Sequence, residues 1–400
     1  MPITNLIGGS QDRSLPVLMP SNSLPWQNPR LTGRVIELDG LRGLAILLVL
    51  VHHYIGKTVV GIVPGSWQAR SIATLRLTWS GVDLFFVLSG FLIGGILYDA
   101  RHSKSYFRTF YGRRMYRIFP LYFINILILF IALNFVSSDS PNPLRQIFNH
   151  DLPLWSYPFF LQNFCMVFKQ IWGPSWMAVT WSLAVEEQFY LLLPIMVRNL
   201  SFRIIRCVAV ASILAAPLAR IILALSGDQV IGQYTLSPAR ADALGFGVLI
   251  ALICRNKNAW DWLTSHRSCL YAAFLALGCG MLFLLKYQRF VYTAGITWIA
   301  AFYASLLLVV VVNPGWIETA FFRSGTLVKL GTMSYAIYIF HQGINALFHF
   351  AIFGRTPMIA DWPSLFVTLV SLITVLLLSE LSWRLIEKPL IRHANQTYRY

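Results

Sequence analysis

Ten stretches of about 20 mostly apolar residues recur along this 400-residue chain, at 38–57, 81–98, 118–136, 181–197, 204–225, 237–254, 269–285, 292–312, 330–350 and 364–384. A helix needs about 20 such residues to cross the hydrocarbon core of a bilayer. Only helices and closed barrels satisfy their backbone hydrogen bonds there, so runs of this length predict an all-α polytopic bundle of about ten transmembrane helices. Composition agrees: 56% of the residues are hydrophobic and 12% are charged, against about 25% charged in soluble domains. A soluble globule is excluded, and so is intrinsic disorder, because the apolar surface is abundant.

Lys and Arg outnumber Asp and Glu by 32 to 16, a net charge of +16. Such a balance signals nucleic acid, anionic lipid or membrane topology, and its distribution decides. With the N-terminus placed in the cytoplasm, the inside segments hold about 21 Lys and Arg and the outside loops about 8, as the positive-inside rule requires. Both termini are therefore expected in the cytoplasm. The densest cluster, Arg101, Lys104, Arg108, Arg113, Arg114 and Arg117, falls in one short inside loop, which removes the nucleic-acid reading. The Trp- and Phe-rich segment 152–176 is broken by Pro153, Pro158, Gly173 and Pro174 and reads as an outside re-entrant or interfacial piece.

Residues 1–33 contain five prolines and lack the features of a secretory signal. The expected organisation is a flexible polar tail at 1–35, a membrane domain at 36–392 and a cytoplasmic tail at 393–400. The five cysteines show neither pairing nor metal-like spacing, so no disulfide framework and no metal site are expected. No internal repeat near 200 residues is visible.

Ionisable residues inside spanning helices are costly and point to function. In the first run Arg42 and His53 are eleven residues apart, about three turns and roughly 16 Å, so they share a face while His52 points about 100° away. Asp39 lies three residues before Arg42 and can pair with it. A snorkelling arginine and a packed histidine would explain each alone, but an imidazole also suits general-base work near neutral pH. Asp83 opens the second run, as an interfacial cap or as a functional group. Arg114 and Arg117, three apart beside Arg113, turn two guanidinium forks one way, which suits phosphate or pyrophosphate as well as lipid headgroups. Glu186 and Glu187 enter an apolar helix and need cationic or hydrogen-bonding partners, for which Arg42 and His53 are candidates. Ser334, Tyr338 and His341 fall on one helix face.

These segments together resemble the acyltransferase-3 family of bacterial integral-membrane acyltransferases, which includes O-antigen and exopolysaccharide O-acetylases. The likeness covers about residues 36–392. It rests on Arg42 to His53 as R-x10-H, Gly81-Val82-Asp83-Leu84-Phe85-Phe86-Val87-Leu88-Ser89-Gly90-Phe91, Arg114-Met115-Tyr116-Arg117 as R-x-x-R, Trp181-Ser182-Leu183-Ala184-Val185-Glu186-Glu187-Gln188-Phe189-Tyr190, Ser334-Tyr335 to His341, and Glu387-Lys388-Pro389. The proline-rich tail is longer than the family leads one to expect, and the carboxyl-terminal hydrolase-like domain of some members is not found, so the whole reaction is expected in the membrane domain.

The resemblance implies an enzyme of the bacterial inner membrane that moves an acyl group, commonly acetyl from cytoplasmic acetyl-CoA, to a hydroxyl of a surface or lipid-linked saccharide. His53 would act as base or carry the acyl group itself. Arg42 would hold the environment of His53 or the donor, Glu187 or Glu186 would orient the imidazole with Asp39 at the same centre, Arg113, Arg114 and Arg117 would hold the donor's phosphates, and Trp181, Ser182, Tyr338, His341 and Asp83 would meet the substrate. The expected partners are acyl-CoA, a saccharide acceptor and membrane lipids. A secondary transporter with an intramembrane proton relay is the rival class, but it predicts interrupted helices at matching positions in two halves. A noncatalytic lipid or saccharide sensor gives no reason for His and Arg deep in one helix.

Overall fold

The structure, a computed structural model, describes residue 28 and residues 35–400 except 62–65, 138, 228–229, 288–289 and 314. The expected flexible tail therefore lies outside the described residues, apart from its last residue and Asn28, whose amide donates to the Cys254 carbonyl oxygen (3.1 Å).

Among the described residues are ten long helices: α1 Ile36–Val51, α2 Gly81–Asp99, α3 Tyr106–Leu133, α4 Trp181–Asn199, α5 Phe202–Leu225, α6 Ser237–Ile253, α7 Arg267–Lys286, α8 Ile296–Val312, α9 Ser334–Phe353 and α10 Trp362–Ser382. Among the described residues, nine helical segments are long and apolar enough to cross a membrane. The tenth expected span, α4, is a 19-residue helix that falls short in apolarity because it carries Glu186, Glu187 and Arg198. One face of it packs into the bundle, where Glu186 accepts from the Ser89 hydroxyl of α2 and Arg198 donates to the Arg101 carbonyl oxygen.

Polar contacts gather alternate helix ends at one pole of the bundle. Glu37 at the start of α1 pairs with Arg323 (3.2 Å) and accepts from the Gly315 N–H just beyond α8 (2.9 Å). Arg255 after α6 grips Asp99 at the end of α2 through two bonds of 2.7 and 2.6 Å. Arg101 donates to the Leu200 carbonyl oxygen (2.7 Å), and Arg198 donates to the Arg101 carbonyl oxygen, so α4 ends where α3 begins. The terminal helix Lys388–Thr397 packs on α3 here as well, with Tyr116 and His393 rings 5.4 Å apart. The α1 start and the terminal helix thus lie at one pole, the arrangement ten passages produce.

At the other pole, the chain after α1 forms a parallel bridge from Val59 to Ile359, beyond α9. Asp361 caps α10 in a reciprocal box with Ser364, and the Ser364 hydroxyl and N–H hold the Asp361 carboxyl below its ordinary range. Segment 152–176 does not cross: its longest helix, Gln162–Lys169, has eight residues. It folds into the bundle instead, with Phe160 stacked on Tyr122 (4.7 Å) and the Gln162 amide donating to the Thr180 carbonyl oxygen (2.8 Å).

Helices α2 and α6 approach at Gly90 and Gly247. A side chain at Gly90 would strike the Leu244 carbonyl oxygen, so the closeness depends on the missing Cβ atoms. This crossing sets Asp83 opposite Arg240 (2.7 Å), while Asp242 pairs with Arg220 of α5 (2.9 Å), and all four side chains are wholly buried. The Arg240 guanidinium also lies over Phe86, Trp181 and Tyr234, at 5.5, 5.8 and 5.2 Å from the ring centres. By contrast α7 buries only Leu270 and Leu284, so its apolar surface faces outward, as lipid-facing helices do.

Candidate active site

The α-helix of α1 widens into a π-turn at His52–Gly56. Such turns are rare and frequent at functional sites. Here the wider turn changes the expected geometry, because both His52 and His53 line one cavity, with their rings edge to face at 4.9 Å. Arg42 lines a different cavity nearer the basic pole.

The inner cavity, about 110 Å³, is walled by Arg42, Arg114 and Arg117 with Ser89, Glu186 and Tyr190. Glu186 accepts from the Ser89 hydroxyl (2.7 Å) and the Tyr190 hydroxyl (3.2 Å). Asp39 lies 3.5 Å from Arg42. Arg114 sits over the Tyr190 ring at 4.9 Å, and neither Arg114 nor Arg117 forms a hydrogen bond or ion pair among the described residues. Three guanidinium groups against the Glu186 carboxylate leave this cavity with surplus positive charge and free donors, the chemistry of an anion site.

The outer cavity, about 190 Å³, holds His52, His53 and Lys57 and is walled by Trp79, Trp172, Trp181, Tyr234 and Tyr292. Val82 and Tyr338 line both cavities, so the two meet at a waist. The Tyr338 and Ser182 hydroxyls are bonded across it at 2.6 Å, and both also reach the Val179 carbonyl oxygen.

His53 is held by a second imidazole, not by a carboxylate. His341 Nδ1 lies 2.7 Å from the Tyr338 carbonyl oxygen and 3.1 Å from that of Ile337. Carbonyl oxygens only accept, so in the neutral ring this nitrogen carries the proton and His341 Nε2 is an acceptor. His53 Nδ1 lies 3.3 Å from that Nε2 and 3.0 Å from the Val49 carbonyl oxygen, so it is the donor. His53 Nε2 is left bare.

The other expected site residues fall as follows. The expected contact between Glu186 or Glu187 and the imidazole is not formed: Glu186 faces the inner cavity, and Glu187 is buried with one carboxylate oxygen unpartnered. Each points where α4 turns it, about 100° apart. Asp83 meets Arg240 rather than either cavity. Arg113 stands outside the inner cavity, its Nε donating to the Tyr398 carbonyl oxygen (2.9 Å) and its guanidinium 5.3 Å from the Tyr400 ring centre. Trp181 lines the outer cavity and Ser182 the inner one. Ser334 also lines the inner cavity. Apart from Trp181, the aromatic wall was not anticipated, nor was Lys57. Their signal was faint, since they come from separate loops and short turns.

A cationic chamber beside an aromatic, histidine-bearing chamber, both set among long apolar helices, places the chain with the polytopic helical membrane proteins. The chain belongs to the family of the acyltransferase domain, whose pattern matches residues 35–383. It is similar to O-acetyltransferase OatA of Staphylococcus aureus, 23% identical over 381 residues, which cover 91% of this chain and 58% of that protein. It also resembles peptidoglycan O-acetyltransferase OatA of Listeria monocytogenes, 26% identical over 385 residues (91% and 57%). The putative peptidoglycan O-acetyltransferase YrhL of Bacillus subtilis is 26% identical over 377 residues (88% and 54%). The chain thus spans somewhat over half the length of these relatives. No solved structure matches it significantly.

Proposed function

We propose that this protein transfers an acetyl group from cytoplasmic acetyl-CoA to a hydroxyl of a saccharide on the far side of the bacterial inner membrane. The observation that carries this reading is the pair of cavities meeting at Val82 and Tyr338, one cationic and one bearing His53. The basic pole faces the cytoplasm, following the concentration of Lys and Arg there. The naming of relatives as O-acetyltransferases supports the reaction, and the naming of two of them as peptidoglycan O-acetyltransferases, one putative, supports a glycan acceptor.

In this reading Arg42, Arg114 and Arg117 bind the phosphates of the donor, and its thioester reaches the waist. The acceptor hydroxyl enters the outer cavity. His53 Nε2 takes the hydroxyl proton while the oxygen attacks the thioester carbonyl carbon. As the carbonyl oxygen gains charge, the Tyr338 hydroxyl turns its one proton from the Val179 carbonyl oxygen to it, while the Ser182 hydroxyl donates to Tyr338. The carbon–sulfur bond breaks, the ester forms, and the departing thiolate takes the proton back from His53 Nε2 to leave as the free thiol, which returns His53 to its neutral state. His341, with its proton fixed on Nδ1, keeps the reactive nitrogen of His53 unprotonated in the resting state.

The test is purified protein in nanodiscs with isotope-labelled acetyl-CoA and glycan fragments, read by mass spectrometry. Label should appear on the glycan with wild-type protein and not with His53→Ala. Label that stays on acetyl-CoA with every glycan, while the protein moves a solute across vesicles, would support the transporter class instead.

A further inference from the structure

The outer cavity contains one feature that the transfer reaction does not use. Lys57 lines it four residues beyond His53, at the end of the π-turn, and its backbone N–H donates to the His52 carbonyl oxygen at 2.9 Å, the bond that closes that turn. Two residues later the chain is pinned again by the Val59–Ile359 bridge. The backbone carrying the ammonium is therefore fixed on both sides. Among the described residues the Lys57 ammonium forms no hydrogen bond or ion pair, and it is the only Lys or Arg side chain lining this cavity, whose described lining has no Asp or Glu. Lys57 is exposed at the wall of the cavity, and a cation with no counter-ion there, beside a base, is suited to an anionic ligand that enters from outside.

The rest of the wall narrows the class. Trp79, Trp172, Trp181, Tyr234 and Tyr292 come from five parts of the chain to one small chamber. Trp79 and Tyr292 are stacked at 6.0 Å, and Tyr234 stands edge-on to Trp79 and Trp172 at 5.3 and 5.8 Å and tilted against Trp181 at 4.8 Å. Aromatic faces with polar rims receive the apolar C–H face of a pyranose while leaving its hydroxyls for hydrogen bonds. At about 190 Å³ the chamber is smaller than ordinary ligand pockets of about 300–1,000 Å³, so it suits a single ring with its substituents.

Building on the acyl-transfer reading, we infer that the acceptor is an acidic sugar unit, whose carboxylate or phosphate pairs with Lys57 while its ring packs on the aromatic wall and its hydroxyl meets His53. Lysine acts as a point charge that accepts either anion. The pairing selects the acceptor and sets which hydroxyl faces the base.

The experiment maps the acetyl ester in surface glycans of cells expressing wild-type protein, His53→Ala, Lys57→Met or Lys57→Arg, with equal membrane abundance verified by immunoblot. The expected result is a His53-dependent acetyl ester on, or directly beside, a carboxylated or phosphorylated sugar, and fragmentation identifies which. Lys57→Met should lower that ester at least tenfold, and Lys57→Arg should retain most of it. A His53-dependent ester on a wholly neutral glycan, or full acetylation by Lys57→Met, overturns the acidic-acceptor inference and leaves the transfer reading standing. The absence of any His53-dependent ester overturns both. If Lys57→Met is not inserted, Lys57→Gln at matched abundance provides the same comparison.

Discussion

His53 Nδ1 lies 3.3 Å from His341 Nε2, joining residues 288 positions apart in the chain. Backbone carbonyl oxygens fix the proton on His341 Nδ1, so its Nε2, together with the Val49 carbonyl oxygen at 3.0 Å, holds the His53 proton on Nδ1 and leaves Nε2 of His53 without a partner among the described residues. The account therefore expects His53→Ala to lower acetyl transfer by about 10²–10⁴-fold, the range for loss of a general base. His341→Leu should fall nearly as far. His341→Gln, which keeps an acceptor for the His53 N–H, should recover part of the loss. Equal turnover by His341→Leu and wild type, at matched protein amounts, would remove the second imidazole from the mechanism.

The free guanidinium groups of the inner cavity carry a separate expectation. Arg114→Gln or Arg117→Gln should weaken acetyl-CoA binding by about 1.5–3 kcal/mol for each charged hydrogen bond lost. Lys at either position should restore only part, since it lacks the planar fork. Isothermal titration on detergent-purified protein reads this directly, and unchanged affinity in the double variant would assign these residues to topology alone.

The buried Asp83–Arg240 pair tests packing rather than chemistry. Arg240→Met leaves an uncompensated carboxylate and should cost about 3–5 kcal/mol, whereas Asp83→Leu with Arg240→Met should cost less than the two single changes summed. Thermal melts in detergent compare the four proteins. Additive losses would mean that the two charges do not stabilise one another.

Orientation is accessible to labelling. In a cysteine-free background, Asn256→Cys at the basic pole should react only with reagent supplied in the cytoplasm, and Thr356→Cys, beyond α9, only with reagent outside. Both positions are exposed. Reaction of both from one side would exclude the odd number of crossings, α7, α8 and α9, that separates them.

Much of this architecture was legible because a spanning helix must announce itself in sequence. Runs of apolar residues mark the nine apolar segments, and α4 was legible as a helix in spite of Glu186, Glu187 and Arg198. The cationic chamber was legible too, since Arg42, Arg114 and Arg117 each stand near the basic end of a helix. What escaped was pairing between elements. Nothing near Asp83 in the chain marks Arg240 as its partner, 157 residues away. A glutamate was expected to hold His53, because periodicity places Glu186 and Glu187 near the right depth but does not say which neighbour their face meets. The π-turn was invisible to a constant 100° per residue, and it brings His52 as well as His53 into the cavity. Lys57 counted only as one charge in a topology tally, although its position beside His53 sets it in the outer chamber.

The central claim is that donor and acceptor enter from opposite faces and meet at the waist between Arg42 and His53. The direct measurement uses sealed proteoliposomes with the protein in one orientation, acetyl-CoA confined to the side of the basic pole and the glycan acceptor to the other. The account predicts acetylated glycan in this arrangement and none when the compartments are exchanged. Product formed only when both substrates share the side of the basic pole would contradict it, and would make this an ordinary one-sided transferase.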